Sequence, residues 1–199
     1  MRLIGILGGV ASGKSLVAGQ LAELGAGRLD ADRAAHEVLH TASVEQSARR
    51  RWGAEIFGPD GRIDRARLAK LVFARSPGAA AERKYLEQLI HPEVETRLRR
   101  QMEQMAARGV PAAVLDVPLL IEAGWDELCE RLWFVDAPRR LRLERACGRG
   151  WSEEEFDARQ GAQESLEEKK RRADAVIDNS GSPEQTRVQV ERLWRCLFG

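Results

Sequence analysis

Leu3-Ile4-Gly5-Ile6-Leu7-Gly8-Gly9-Val10-Ala11-Ser12-Gly13-Lys14-Ser15-Leu16-Val17 is the stretch on which the fold turns. A short apolar run meets two glycines, and beyond Ser15 the residues Leu16, Val17, Leu21 and Leu24 recur at helical spacing. The segment therefore reads as strand, glycine-rich loop and helix. Within it, Gly8 to Ser15 matches the phosphate-loop pattern of glycine, four residues, glycine, lysine and serine, in the strand-to-helix context the pattern requires. Each residue type has its own physical reason. The glycines let the loop wrap with backbone N–H groups turned inward, the helix presents its positive end, and Lys14 bridges phosphate oxygens. The Ser15 hydroxyl is placed to ligate magnesium.

Working outward, Gly25 closes the first helix, and Arg28-Leu29 leads through Asp30-Ala31-Asp32 into a helix containing His36, Val38 and Leu39. Pro59-Asp60-Gly61 is a turn, Asp64 an N-cap, and Leu68, Leu71 and Val72 continue at helical spacing until Ser76-Pro77-Gly78 breaks the pattern. A helix follows through Tyr85, Leu86, Leu89 and Ile90. Pro92 suits the first position of a further helix, where its missing N–H has no partner to lose, so His91-Pro92 is expected to be a joint between two helices. Ala112 to Val117 and Leu132 to Val135 read as strands buried on both faces, and Ala175 to Ile177 as one more. A charged helical region ends near Arg172, and Pro183 to Phe198 closes the chain as a helix. Strands alternating with helices imply a parallel sheet. With no repeat or low-complexity linker, residues 1–199 are expected to form one α/β domain: a core (about 1–58, 109–137 and 173–199) with helical insertions near 59–108 and 138–172.

Composition narrows the function. The 199 residues are 43% hydrophobic and 32% charged, enough for a sizeable core. The 32 basic and 31 acidic side chains leave a formal charge of +1, which argues against a nucleic-acid coat or a membrane-surface protein. Cys129, Cys147 and Cys196 are scattered without metal-ligand spacing, as expected of reduced, packed thiols in a cytosolic protein. The apolar run at the amino terminus is too short for a signal segment or a membrane span, so a cytoplasmic location is expected.

The phosphate acceptor must be read from other residues. Asp32, at the start of the helix after the second strand, is the candidate base, because in open parallel sheets the carboxyl ends of neighbouring strands converge on one ligand crevice. A helix cap is the other reading of Asp32, although Asp30 fits that role more naturally. His36, one turn on from Asp32, is read either as a substrate contact or as a surface residue. Asp116 ends an apolar strand and is read either as a second magnesium-organising carboxylate or as a turn residue. Arg142, Arg145 and Arg149 share a helical face, and either close over phosphate or form a solvated surface paired with nearby glutamates. Lys169-Lys170-Arg171-Arg172 is read either as a further basic site or, more simply, as a basic helix end favoured by the dipole.

Taken in order, the motifs resemble the dephospho-coenzyme A kinase family along nearly the whole chain. The matching elements are Gly8 to Ser15, Leu24-Gly25-Ala26, Asp30-Ala31-Asp32 with His36, Phe57-Gly58 with Asp60-Gly61 and Arg65, and Leu86-Glu87 with Ile90-His91-Pro92. Val117-Pro118-Leu119-Leu120 with Glu122, Arg145 with Arg149, Arg159 with Gln163, and Ala173-Asp174 with Val176 to Asn179 and Gly181 complete the series. The resemblance implies a three-layer P-loop NTPase fold with a helical substrate-binding insertion and a helical lid. It implies transfer of the ATP γ-phosphate to the ribose 3′-hydroxyl of dephospho-coenzyme A, with magnesium as helper, by a monomer or weak homo-oligomer. In the same reading Asp32, Lys14 and Arg145 are catalytic. Gly8 and Ala11, Ser12, Gly13, Lys14, Ser15 and Leu16 contact the nucleotide phosphates, and Ser15 and Asp116 hold the metal. Arg149 belongs to the lid, Asn179 and Gly181 border the adenine, and Asp32, His36 and His91 face the acceptor. The departures are Ala11, where the family usually has glycine, and Leu16, where it usually has threonine. A nucleoside-monophosphate or small-metabolite kinase would share the phosphate loop and differ in the acceptor pocket. A GTP-gated switch is disfavoured because no Asn-Lys-x-Asp run occurs.

Overall fold

The computed structural model describes residues 1–72, 78–117 and 120–199, with the side chain of Asp32 outside the described atoms. Two compact units are distinguished: residues 1–29 with 101–199, and residues 30–100.

The first unit is built on a parallel sheet of β1 (Arg2–Gly8), β2 (Gly27–Leu29), β3 (Ala112–Leu115), β4 (Arg131–Asp136) and β5 (Ala175–Asp178), in the order β2-β3-β1-β4-β5. The central strand β1 pairs Arg2 with Ala112 on one side and Ile4 with Arg131 on the other. Its side chains alternate between faces. Ile4 and Ile6, with Val114 and Val135, pack beneath α1 (Lys14–Glu23) through Val17 and Leu21, and beneath the carboxyl-terminal helix Pro183–Phe198 through Val190, all of them buried. Each such side chain contributes roughly 1.5–3 kcal/mol by leaving water. Helix α1 ends where Gly25, at φ 102°, lets Ala26 N–H reach back to Leu21 O at 3.0 Å. The strand expected over Ala112 to Val117 stops at Leu115, leaving Asp116 and Val117 beyond its carboxyl end.

In the second unit, α2 (Ala31–Leu39) starts at Asp30, whose carboxylate accepts from Arg33 N–H at 2.9 Å. Asp30 is thus the cap, as its residue type suggested. A helix absent from the sequence reading, α3 (Ala42–Trp52), follows at once. The turn at Pro59-Asp60-Gly61 closes a bridge between Phe57 and Ile63, and Asp64 caps α4 (Arg65–Val72) by accepting from Ala66 and Arg67 N–H. The break expected at Ser76-Pro77 lies outside the described residues. The two helices expected to meet at His91-Pro92 are one continuous helix, α5 (Ala79–Ala107), with Pro92 inside it. Val94 and Leu98, fully buried just beyond the proline, supply tertiary packing that outweighs the hydrogen bond lost there.

The charged stretch after β4 resolves into α6 (Arg139–Cys147), α7 (Glu153–Gly161) and α8 (Leu166–Arg172). Ser152 and Glu155 form a capping box for α7, and Ser182 with Gln185 does the same for the last helix, α9 (Pro183–Phe198). All three cysteines are free, but Cys147 and Cys196 are exposed where packed thiols were expected. Cys129 alone is covered, and burial pushes its thiol up to about 12. Among the described residues, no helix is long and apolar enough to cross a membrane.

Candidate active site

The loop between β1 and α1 owes its shape to close approaches. A Cβ at Gly9 would strike the Arg142 guanidinium and the Gln160 carboxamide, and one at Gly13 would strike the Asn179 carboxamide. Gly13, at φ 103°, also needs a left-handed backbone to enter the helix. Ala11 likewise lies at φ 55°, the only positive-φ non-glycine among the described residues. The alanine that replaces the family's usual glycine therefore sits in a conformation unfavourable to it.

Lys14 folds back over the loop and donates to Gly8 O at 3.3 Å and Gly9 O at 3.1 Å. Its pKa is lowered to about 8, chiefly by desolvation, with Lys169 and Arg142 acting in the same direction and Asp116 and Glu122 opposing the shift. Beside it, Ser15 Oγ donates to Asp116 Oδ2 at 3.0 Å, bringing the two expected metal-ligating oxygens together. Among the described residues there is no group of three or more His, Cys, Asp or Glu side chains arranged for a metal. Two hard oxygens fit magnesium, which keeps several waters and takes its other ligands from phosphate.

The remaining contacts come from elements far along the chain. Arg145 donates to Ser12 O at 3.2 Å and to Asn179 O at 2.9 Å. Asn179, buried after β5, donates to Ser12 O at 2.6 Å and accepts from Thr186 Oγ1 at 2.8 Å. One end of the Asn179 carboxamide thus braces the loop while the other is held by Thr186 of α9. Gly181 lies under the Gln185 carboxamide, whose oxygen accepts from Ser182 N–H at 2.9 Å. Leu16 is half-buried in the first turn of α1, and Ser12 Oγ is buried without a hydrogen-bond partner among the described residues.

Arg142 is not on a solvated face. It is 5% exposed and donates to Ala137 O and to Gln160 Oε1, which also accepts from Val10 N–H at 3.2 Å. Desolvation lowers the pKa of its guanidinium. Arg149 departs from its two neighbours: it lies past the end of α6, exposed. Gln160 escaped the sequence reading, which offered Arg142 as one of two alternatives and Lys169 only within a basic run; the signal that could have found Gln160 is the apolar Phe156 one turn before it, which stacks beneath Arg142.

Three expected acceptor-side residues belong to the second unit. Asp32 is the second residue of α2. His36 is exposed and meets the His40 ring edge-on at 5.0 Å. His91 is half-buried on α5, and desolvation lowers its pKa.

A glycine-rich loop of this build, closing a central parallel strand, places the chain in the P-loop class of nucleotide-binding folds. The dephospho-CoA kinase family model matches residues 2–185. A dephospho-CoA kinase of Symbiobacterium thermophilum is 46% identical over 201 residues, covering 100% of this chain and 82% of the relative. One from Geobacter sulfurreducens is 39% identical with full coverage of both. Among solved structures, a Thermus thermophilus protein superposes with a TM-score of 0.80 at 36% identity, covering 100% of this chain and 98% of that one. A dephospho-CoA kinase from Campylobacter jejuni does so at 0.71 and 25%, covering 99% and 98%. This chain belongs to the dephospho-CoA kinase family and is an ATP-dependent kinase.

Proposed function

We propose that the chain transfers the γ-phosphate of ATP to the 3′-hydroxyl of the ribose of dephospho-coenzyme A, giving coenzyme A and ADP. The observation that carries this reading is a family match spanning residues 2–185 on a chain whose loop sets Lys14 and a Ser15–Asp116 pair side by side. Backbone N–H groups from Ala11 to Leu16 hold the phosphates, with Gly8 opening the loop, and Lys14 turns from its own carbonyls to the β and γ oxygens. Ser15 and Asp116 would hold magnesium, which neutralises charge on those oxygens when bound. Asp32 orients the acceptor hydroxyl. As the bond from that oxygen to the γ-phosphorus forms and the bond to the β-phosphate oxygen breaks, Asp32 takes the proton and ADP leaves. Arg145 holds the loop rigid behind the phosphates, Arg149 lies on the lid, and Asn179 and Gly181 shape the nucleoside end. His36 and His91 serve the acceptor side.

In this reading the core is residues 1–58, 109–137 and 173–199, the acceptor-side insertion 59–108 and the lid 138–172, in one cytoplasmic domain acting as a monomer or weak homo-oligomer. Coupled ADP-release kinetics with magnesium, ATP and dephospho-coenzyme A, followed by mass spectrometry, test it. A magnesium-dependent gain of one phosphate on the acceptor is expected. Folded, ATP-binding protein that yields no such product would overturn the choice of acceptor.

A further inference from the structure

Helix α8 carries four basic residues in succession, and three end on surface carboxylates. Lys170 reaches Asp136 at 2.8 Å, Arg171 reaches Glu168 at 2.6 Å, and Arg172 reaches Glu168 at 2.7 Å and Asp126 at 3.0 Å. These three follow the simple reading of a basic helix end. Lys169 does not: it is 2% exposed, among the most buried large side chains described. An ammonium taken out of water is costly unless it is paired and hydrogen-bonded. Lys169 has Glu122 Oε1 at 3.2 Å and Gln163 Oε1 at 3.1 Å. Glu122 pairs its charge and Gln163 accepts one of its N–H groups, so even with both partners engaged a third N–H has none among the described residues.

The position of that third donor gives it a use. Lys169 lines one small cleft with Gly8, Lys14, Val117 and Leu120, close enough for its charge to help lower the pKa of Lys14. Two cations sharing a cleft repel each other until an anion enters between them. The Ser12–Gly13 side of the loop is braced by Asn179 and Arg145, whereas Lys169 stands on the side of Val117, just past β3, where Asp116 meets Ser15. A phosphate-loop lysine reaches the β and γ phosphates, so a cation sharing its cleft stands at the terminal end of the chain.

We propose that Lys169 binds the terminal phosphate of the donor nucleotide, donating its third N–H to a phosphate oxygen while Glu122 and Gln163 hold the ammonium in place. The inference rests on ATP being the donor and not on the identity of the acceptor. The test is calorimetric binding of a non-hydrolysable ATP analogue and of ADP, each with magnesium, to wild type, Lys169→Met and Lys169→Arg. Loss of one charge-assisted hydrogen bond corresponds to roughly a ten- to hundredfold weaker analogue affinity. That loss is expected in Lys169→Met, with ADP affinity nearly unchanged and most of the loss recovered in Lys169→Arg. Equal losses for both nucleotides, or none, would overturn the proposal. If Lys169→Met does not fold, the ammonium ¹⁵N resonance of Lys169 in the wild type, assigned with Lys169→Arg, decides. It is expected to shift with the analogue and not with ADP, and an identical response to both would overturn the assignment. Wild type that binds the analogue but leaves dephospho-coenzyme A unphosphorylated would sink the proposed acceptor alone, the Lys169 assignment being decided by the variants' affinities; wild type that binds neither nucleotide would overturn both.

Discussion

The ammonium of Lys14 donates to carbonyls of its own loop, and burial, the larger influence, brings it down to about 8. In the unfolded chain the same group titrates near about 10.4. Between those values the unfolded state holds the extra proton, so this group adds stability as pH rises from about 8 towards about 10.4, and adds none of it below. A phosphate chain demands the charged form, so nucleotide binding above pH 8 takes up a proton. Its affinity should fall towards roughly tenfold per pH unit there, checked by calorimetry in buffers of different ionisation enthalpy. Ala11 offers a second residue-scale prediction. Its left-handed backbone costs roughly 1–2 kcal/mol relative to a conformation that suits alanine. Glycine's extra freedom in the unfolded chain offsets about 0.4–1 kcal/mol of that, so Ala11→Gly should raise the thermal midpoint by about 2–4 °C; a lower midpoint would mean that the alanine methyl is needed where it packs beside Val10 and Phe156. For Asp32, Asp32→Asn should cut turnover by roughly 10²–10⁴-fold with ATP affinity within a few fold. Near wild-type turnover would remove Asp32 from the role of base.

At the level of elements, α5 carries Pro92 in its interior, where the ring removes one backbone donor and crowds the carbonyl of Gln88. Pro92→Ala should stabilise the protein by about 1–3 kcal/mol in urea unfolding, and no gain would show that the helix has relaxed fully around the ring. The strand, loop and first helix were legible because the signal is local: an apolar run, spaced glycines and a helical repeat within about two dozen residues. Helix α3 was not, since only Val44 and Ala48 are buried amid Glu45, Gln46 and three consecutive arginines. The charged helices were legible as helices but not in their orientation. Arg139 and Arg142 lie one turn apart, yet the first pairs with Glu153 and Asp157 at the surface while the second turns inward to the loop. Lys169 and Lys170 diverge in the same way. Residue type alone carries no record of which turn meets the sheet.

For the whole molecule, the sheet gathers chain segments that are remote in sequence. Residues 30–100 form a unit of their own, while β1 pairs with strands that begin at Ala112 and Arg131. During synthesis, then, the central strand of the sheet is made before either of its neighbours and waits for the first of them until about Ala112 has been added. At a translation rate of about 5–20 residues per second, that interval is roughly 5–20 s, long compared with the microseconds in which a helix forms. Throughout it, the apolar side chains of Leu3 to Leu7 have no neighbouring strand to cover them, and an unpaired apolar strand is the kind of segment that aggregates, so the hazard to this chain precedes the folding of its phosphate loop.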